Sequence, residues 1–361
     1  MKRLTAAELQ QKIKGGEAIM EFSLDGLDLQ GCDLSGAIFQ EVSLQGANLQ
    51  GANLKESVFT ECQLSGANLA ATTLEETVFN QCEMAGITAS GATLTRCVFN
   101  DCNLAKSDFS RISSDTSQFM RCALEQSLFS GSTFDRSTFY ETPLGGAKLN
   151  NCTNLMTTLF GIDLRDVDLQ ESQFERTVFF NCDQRGKHYA KHKFTGCQFT
   201  DNQLDGADFN GAQLTQCNFK GASLKQAQLR GVNATQALFM EADLSGAQAQ
   251  GSLFDQAIFV GATLNKASFK QSRFFQSILQ QTTAQEAEFT LCDLTYADFS
   301  AADVRLADFR GATFSRTRFH RARQDNARFA DRKGILEYDE ELLAAEAWSA
   351  ERHSRIYGDS L

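Results

Sequence analysis

The chain has 361 residues and a formal net charge of −11 at pH 7, with one Pro, one Trp, 26 Gly, 30 Phe and 11 Cys. That acidic balance argues against simple binding to phosphate backbones, and no apolar run approaches the roughly 18 residues of a membrane span, so neither direct nucleic-acid contact nor membrane insertion is expected. No Pro-rich or Gly/Ser-rich linker divides the sequence into separate domains.

The first residues, Met1 to Met20, hold no apolar core of signal-peptide length, and a soluble, cytoplasmic protein is expected. Thr5-Ala6-Ala7-Glu8 has capping-box spacing, Leu9 and Ile13 follow as an apolar side, and Gly15-Gly16 stops the segment. Residues 1–20 therefore read as a short helical cap.

From Leu24 to Phe329 every fifth position is a slot for a large apolar residue, and of 62 such slots 25 hold Leu, 26 hold Phe and one holds Met. A period of five fits neither an α-helix nor a flat strand, so the chain must turn after each short unit and stack on itself as a solenoid. The position two before each centre is small almost throughout (Cys32, Ala37, Val42, Ala47, Ala52), so both point inward and the other three face water.

Fragments such as QGANLQGANL (45–54) and SGANL (65–69) match the consensus A-(D/N)-L-x-x. On these residues the sequence resembles the pentapeptide-repeat family over most of its length. The resemblance implies an all-β, right-handed quadrilateral β-helix with four repeats per coil. The residues carry their own sign of the four. Centres twenty apart from Phe39 to Phe319 are Phe in 13 of 15 cases, whereas those from Leu24 to Gln324 include no Phe in 16. About 15 coils at a strand separation of about 4.8 Å predict a rod of about 75 Å over residues 21–332. Stacked rings and aliphatic columns would fill it.

The repeat weakens between Asp183 and His192, where Gln184 takes a centre and Lys187 and His192 take small inner slots. Phe179 and Phe199 both stay on the Phe ladder, so two repeats are replaced rather than a loop inserted. A local bulge carrying Arg185, Lys187, His188, Tyr189, Lys191 and His192 is expected there, as a basic surface for a protein or anion.

All 11 Cys share the inner slot that elsewhere holds Ala, Ser, Thr or Val, and read as buried, reduced, structural thiols. Neither a cofactor nor a metal is expected. The residue just before each Phe of the ladder should face solvent, yet Ile38, Val58, Val78, Val98, Val178, Leu238, Ile258 and Ile278 stand there. They read either as β-branched stiffening of an exposed sheet or as an apolar contact stripe.

Residues 333–361 read as a helical tail, with Asp339 to Ile356 helix-forming and acidic. The preceding coils carry Arg316, Arg318, Arg321, Arg323 and Arg328. An acidic helix on basic coils predicts docking in cis or across a dimer through the C-terminal end, anchored by Leu343 and Trp348.

Three functions are open. The first is a non-catalytic, rod-shaped scaffold for protein partners. The opening LTAAELQQKIKGGE followed by LDGLDLQGCDLSGA resembles pentapeptide-repeat proteins of bacterial type VI secretion, which implies an accessory or effector-loading role. The second is a DNA-mimicking protein that protects topoisomerase (gyrase), as some members of the family do. The third is an enzyme with a site on the 183–192 bulge, although no nucleophile and base pair up there.

Overall fold

The computed structural model describes residues 2–357. By contacts it falls into two compact units, Met1–Lys187 with His192–Gln203, and His188–Lys191 with Leu204–Leu361. Each is a parallel β-solenoid whose backbone partners lie twenty residues apart, as Phe39 and Phe59 do in the first unit and Leu238 and Ile258 in the second.

The five-residue unit turns because its second residue after the centre is left-handed. Gly36 takes that place at φ 66°, and non-glycine residues from Glu21 (58°) to Asn326 (59°) take it elsewhere. The Leu27 N–H then donates to the Leu24 carbonyl at 3.1 Å and closes a turn with its positive φ at the third position. A left-handed conformation costs an L-residue roughly 1–2 kcal/mol. Bonds to the next coil offset that cost, among them Leu24 N–H to Ser43 O at 2.6 Å and Gly26 N–H to Gln45 O at 2.9 Å.

Two sides of the first unit become extended enough to form sheets. One has nine strands, from Ile19–Met20 to Val178–Phe180, and the other seven, from Thr73–Glu75 to Phe194–Thr195. The second unit is built almost wholly of turns joined by single bridges, with one short strand pair, Thr317–Arg318 and Ile335–Leu336.

The core follows the twenty-residue ladders. Phe39, Phe59, Phe79 and Phe99 stack at 4.6, 4.8 and 5.0 Å between ring centroids, and Phe219, Phe239 and Phe259 at 5.0 and 4.8 Å. Rings of a neighbouring side meet them edge-on, as Phe109 meets Phe119 at 6.0 Å and 86°. Ten of the cysteines are buried, but Cys32 is only half-buried, contrary to expectation. The residue twenty positions before it, Lys12, belongs to a helix, so no inner slot lies beneath that thiol.

The bulge expected at 183–192 does not form. Asp183 pairs with Gln203 in the first unit and His188 with Asp208 in the second, in coil register. Gln184 stays in its centre slot because its Nε2 donates to Asn202 Oδ1 at 2.7 Å. Asn202 Nδ2 in turn donates to the Phe179 and Thr200 carbonyls at 2.7 and 2.9 Å. A polar side chain is tolerated in a core when a partner satisfies it. Tyr189 fills the next centre slot, fully buried against Phe209 at 5.2 Å.

Helix α1 spans Ala6–Lys14, and its capping box closes as read: Glu8 N–H donates to Thr5 Oγ1 at 3.3 Å and Thr5 N–H to Glu8 Oε2 at 2.8 Å. Ahead of it, Lys2–Arg3 lies parallel to Phe22–Ser23. At the far end Ile335–Leu336 extends the ladder by one strand, with Phe319 N–H donating to Leu336 O at 2.9 Å. Gly334 permits that approach: a Cβ there would meet the Phe314 carbonyl oxygen at 2.2 Å. Helix α2, Glu340–Tyr357, follows.

Candidate functional site

Among the described residues no group of three or more His, Cys, Asp or Glu is placed to hold a metal, and no helix is long and apolar enough to cross a membrane. What the fold offers is surface. On the nine-stranded face of the first unit, Ile38 is 52% exposed, and Val58, Val78, Val98 and Val178 are half-buried because stacked branched side chains cover one another. Leu238, Ile258 and Ile278 repeat the arrangement in the second unit. The slot just after the centre, which the sequence reading passed over, holds a second apolar row in the first unit. There Tyr140 stacks on Phe160 at 4.8 Å and Phe160 on Phe180 at 5.3 Å, all half-buried and outward, above Met120.

The 183–192 residues divide by environment. Arg185 forks onto Asp183 at 2.9 and 2.6 Å, His188 is exposed with Nδ1 3.8 Å from Asp208 Oδ2, and Lys191 is exposed. Lys187 is drawn inward, donating from Nζ to the Val167 carbonyl. Burial pushes its ammonium pKa down, against the opposing pull of Asp168 and Asp166. His192, half-buried, stacks with Phe194 at 5.9 Å.

At the C-terminal end most of the arginines are already engaged. Arg305 forks onto Asp303 at 2.8 and 2.7 Å, and this pairing holds the Asp303 carboxyl at about 2. Arg310 grips Asp308 in the same way and lowers it too. Arg323 and Arg328 also reach Asp303 and Asp308, at 3.6 and 3.0 Å. Arg318 pairs with Asp339 at 3.2 Å and Arg321 with Glu346 at 2.5 Å. The buried His320 accepts the Asp339 N–H at Nδ1, 3.1 Å away, and Nε2 lies 3.5 Å from Glu346 Oε1. Arg316 makes no such pair among the described residues and lines an open cleft of about 670 Å³ with Tyr296, Leu336, Tyr338, Asp339, Glu340 and Glu341. The apolar anchoring expected of α2 is not what docks it: Leu343 is exposed and Trp348 is 62% exposed. The coil beneath presents Arg318, His320 and Arg321, not an apolar floor.

A family model described as "Pentapeptide repeat region" matches residues 32–109, and "Pentapeptide repeats (8 copies)" matches 117–153 and, in overlapping segments, 193–329. The chain belongs to the pentapeptide-repeat family. No curated protein matches it. Among solved structures it is similar to HetL, a pentapeptide-repeat protein involved in heterocyst differentiation regulation from the cyanobacterium Nostoc sp. The identity is 19%, covering 74% of this chain and 96% of that one, at a TM-score of 0.23. The plasmid-mediated fluoroquinolone resistance protein QnrB1 shares 15% identity over 64% of this chain and 99% of its own, at 0.21. A pentapeptide-repeat protein of the Arabidopsis thaliana thylakoid lumen shares 23% identity over 37% and 74%, at 0.18.

Three further surface residues of this pentapeptide-repeat protein escaped the sequence reading. Leu291, Tyr296 and Leu306 occupy left-handed corners at φ 59°, 60° and 62°. The corner column below Tyr296 holds Gln216, Gln236, Gln256 and Gln276, whose amides bond in series at 3.0, 2.9 and 3.1 Å. An apolar residue at a corner was a readable signal, but only once the corner slot was known.

Proposed function

We propose that this pentapeptide-repeat protein is a non-catalytic scaffold that holds a protein partner on the C-terminal part of its second unit. One observation carries this reading. Of 13 large apolar side chains that are exposed among those described, eight lie at or beyond Leu291: Leu291, Tyr296, Leu306, Leu336, Tyr338, Leu342, Leu343 and Trp348. Leu291, at 59%, and Leu306, at 50%, also occupy left-handed corners whose columns otherwise hold Gly, Ala or polar residues. An apolar side chain that accepts backbone strain and returns no core packing is expected at an interaction site. Arg316, with no carboxylate at ion-pair distance among the described residues, adds a cation for an acidic group on the partner. The section 303–333, with nine Arg or Lys against four Asp, speaks against the topoisomerase-protecting reading, which needs an acidic surface.

Photo-crosslinking from position 306 in the intact protein, in its own cells, tests the proposal. A discrete adduct is expected from 306 and none from Gln226 of the same corner column. Adding Leu291→Gln and Tyr296→Gln should remove the adduct while the melting temperature holds. No adduct, or equal labelling from both positions, overturns it. The finer reading, an accessory protein of type VI secretion, rests on the opening residues 4–37. Secretion genes beside the coding sequence would support it, and a stand-alone resistance context would overturn it.

A further inference from the structure

We infer that α2 is a pH-operated arm: a neutral His320 latches it to the last coils, and acidification releases it. The latch lies within the second unit and needs no partner, so it stands apart from the surface proposed above.

His320 occupies the slot just after the Phe319 centre, which faces outward; Met240, Val260 and Gln280 of the same column are half-buried. His320 itself is only 3% exposed, because the chain at the start of α2 closes over it through Asp339 and Glu346. Its two ring nitrogens are used differently. Nδ1 accepts the Asp339 N–H at 3.1 Å, and a backbone N–H can only donate, so Nδ1 holds a lone pair and the proton of the neutral ring sits on Nε2. Nε2 is buried, 3.5 Å from Glu346 Oε1, with no hydrogen-bond partner among the described residues.

The hold on α2 concentrates at Asp339. Its Oδ1 accepts the Leu342 N–H at 3.1 Å and caps the helix, its carbonyl accepts the Leu343 N–H at 2.9 Å, and its Oδ2 meets Arg318 at 3.2 Å. The His320 bond fixes the backbone that carries all three.

Acid adds its proton at Nδ1. An imidazolium has two donors and no acceptor, so Nδ1–H and the Asp339 N–H would then point at each other. The surrounding charges do not compensate. Arg318 and Arg321 face the ring from its own coil, Asp339 and Glu346 from above, and Asp298 stands one coil beneath, while Glu340 and Glu341 line the cleft instead. Asp339 is already paired with Arg318 and Glu346 with Arg321, and Asp298 takes the Ser300 N–H and hydroxyl and the Gln280 amide. A third cation therefore enters a site whose carboxylates are engaged, at the positive end of a helix. What else holds α2 is exposed ion pairs, which add little, so one broken buried contact is enough to free it. Release also withdraws Asp339, Glu340 and Glu341 from the cleft of about 670 Å³ that they share with Arg316.

Trp348, the chain's one Trp, rides on α2 and reports its motion. Fluorescence anisotropy of the full-length protein should fall reversibly between about pH 7.5 and about pH 5.5, where an imidazole ordinarily takes up its proton. His320→Gln offers a side-chain oxygen to the same N–H at any pH, so its anisotropy should stay high throughout. His353→Gln, which removes the other imidazole of α2, should keep the step. As a second readout, exchange protection of the Leu342 and Leu343 amides, corrected for intrinsic rate, should drop at least about tenfold over that range, while the Phe319 amide bonded to Leu336 keeps its protection. A flat anisotropy in the natural chain, a step that survives His320→Gln, a low value throughout in that variant, a step lost with His353→Gln, or equal loss of protection at Phe319 and Leu343 would each overturn the inference.

Discussion

At the scale of single residues, what a position does here follows from its place in the five-residue unit more than from its chemical type. The same thiol that is reactive on a surface becomes inert in the inner slot. Cys82 Sγ donates to the Phe59 carbonyl at 3.5 Å, and burial pushes Cys152 and Cys182 up to about 11 and Cys292 up to about 12. The thiolate is the reacting species, so these groups stay silent at neutral pH. Native-state labelling with a thiol reagent at pH 7.5 should therefore modify Cys32 first, with the remaining cysteines reacting only after unfolding. Fast labelling of several cysteines in the folded protein would contradict this. Slot logic also marks its own exceptions. Leu291, Tyr296 and Leu306 sit where the unit calls for Gly or a long polar chain; Tyr296 meets Phe275 edge-on at 6.0 Å and Leu291 lies beside Gly311 of the next coil, yet all three stay exposed.

At the scale of elements, the ends are closed by different devices. α1 buries Leu9 completely and is tied by its capping box, whereas α2 is held by Asp339 and Glu346 against Arg318, His320 and Arg321. Partly exposed ion pairs of that kind contribute about 0–1 kcal/mol each. The strand Ile335–Leu336, not α2, satisfies the backbone of the last coil, through Thr317 N–H to Gly334 O at 3.1 Å and Phe319 N–H to Leu336 O at 2.9 Å. Ending the chain after Asp339 should thus leave solubility intact and shift the melting temperature little. Ending it after Gly334 should expose the edge and promote aggregation, read by light scattering. Aggregation of both truncations alike would show that α2 is the true cap, and solubility of both that the strand does not guard the edge. The sequence announced a helix and a basic docking surface here, but not the two-residue strand between them, which has no period of its own.

At the scale of the whole chain, the coil was readable because one constraint repeats: Phe stacks on Phe every twenty residues, and each inner slot must be small. What stayed hidden depended on partners that this period does not connect. Gln184 looked like a lost coil because its acceptor, Asn202, lies 18 residues on. The Tyr140, Phe160 and Phe180 row was visible in the sequence, yet an outward aromatic has no core to explain it and so drew no attention. The same repetition sets how stability should depend on pH. Asp303, Asp308, Asp163 and Asp183 all have carboxyl pKa values lowered chiefly by Arg side-chain hydrogen bonds. A lowered carboxyl contributes stability that is complete above the unfolded value, about 3.9, and is lost as pH falls towards about 2. The buried thiols of Cys152, Cys182 and Cys292 act with the opposite sign. Their folded values of about 11 to 12 lie above an unfolded value of about 8.5, so the stability they contribute is complete below 8.5 and is lost as pH rises towards their folded values. Urea denaturation should show a plateau from about pH 5 to 8 with a fall on both sides. The alkaline fall should be steeper, because solvent reaches the Arg partners of these carboxylates and screens the pairs, while the buried thiols are unscreened. Replacing Cys152 and Cys292 by Ala should flatten the alkaline limb and leave the acid limb unchanged. An alkaline limb that keeps its slope in that variant would show that the thiols do not control it.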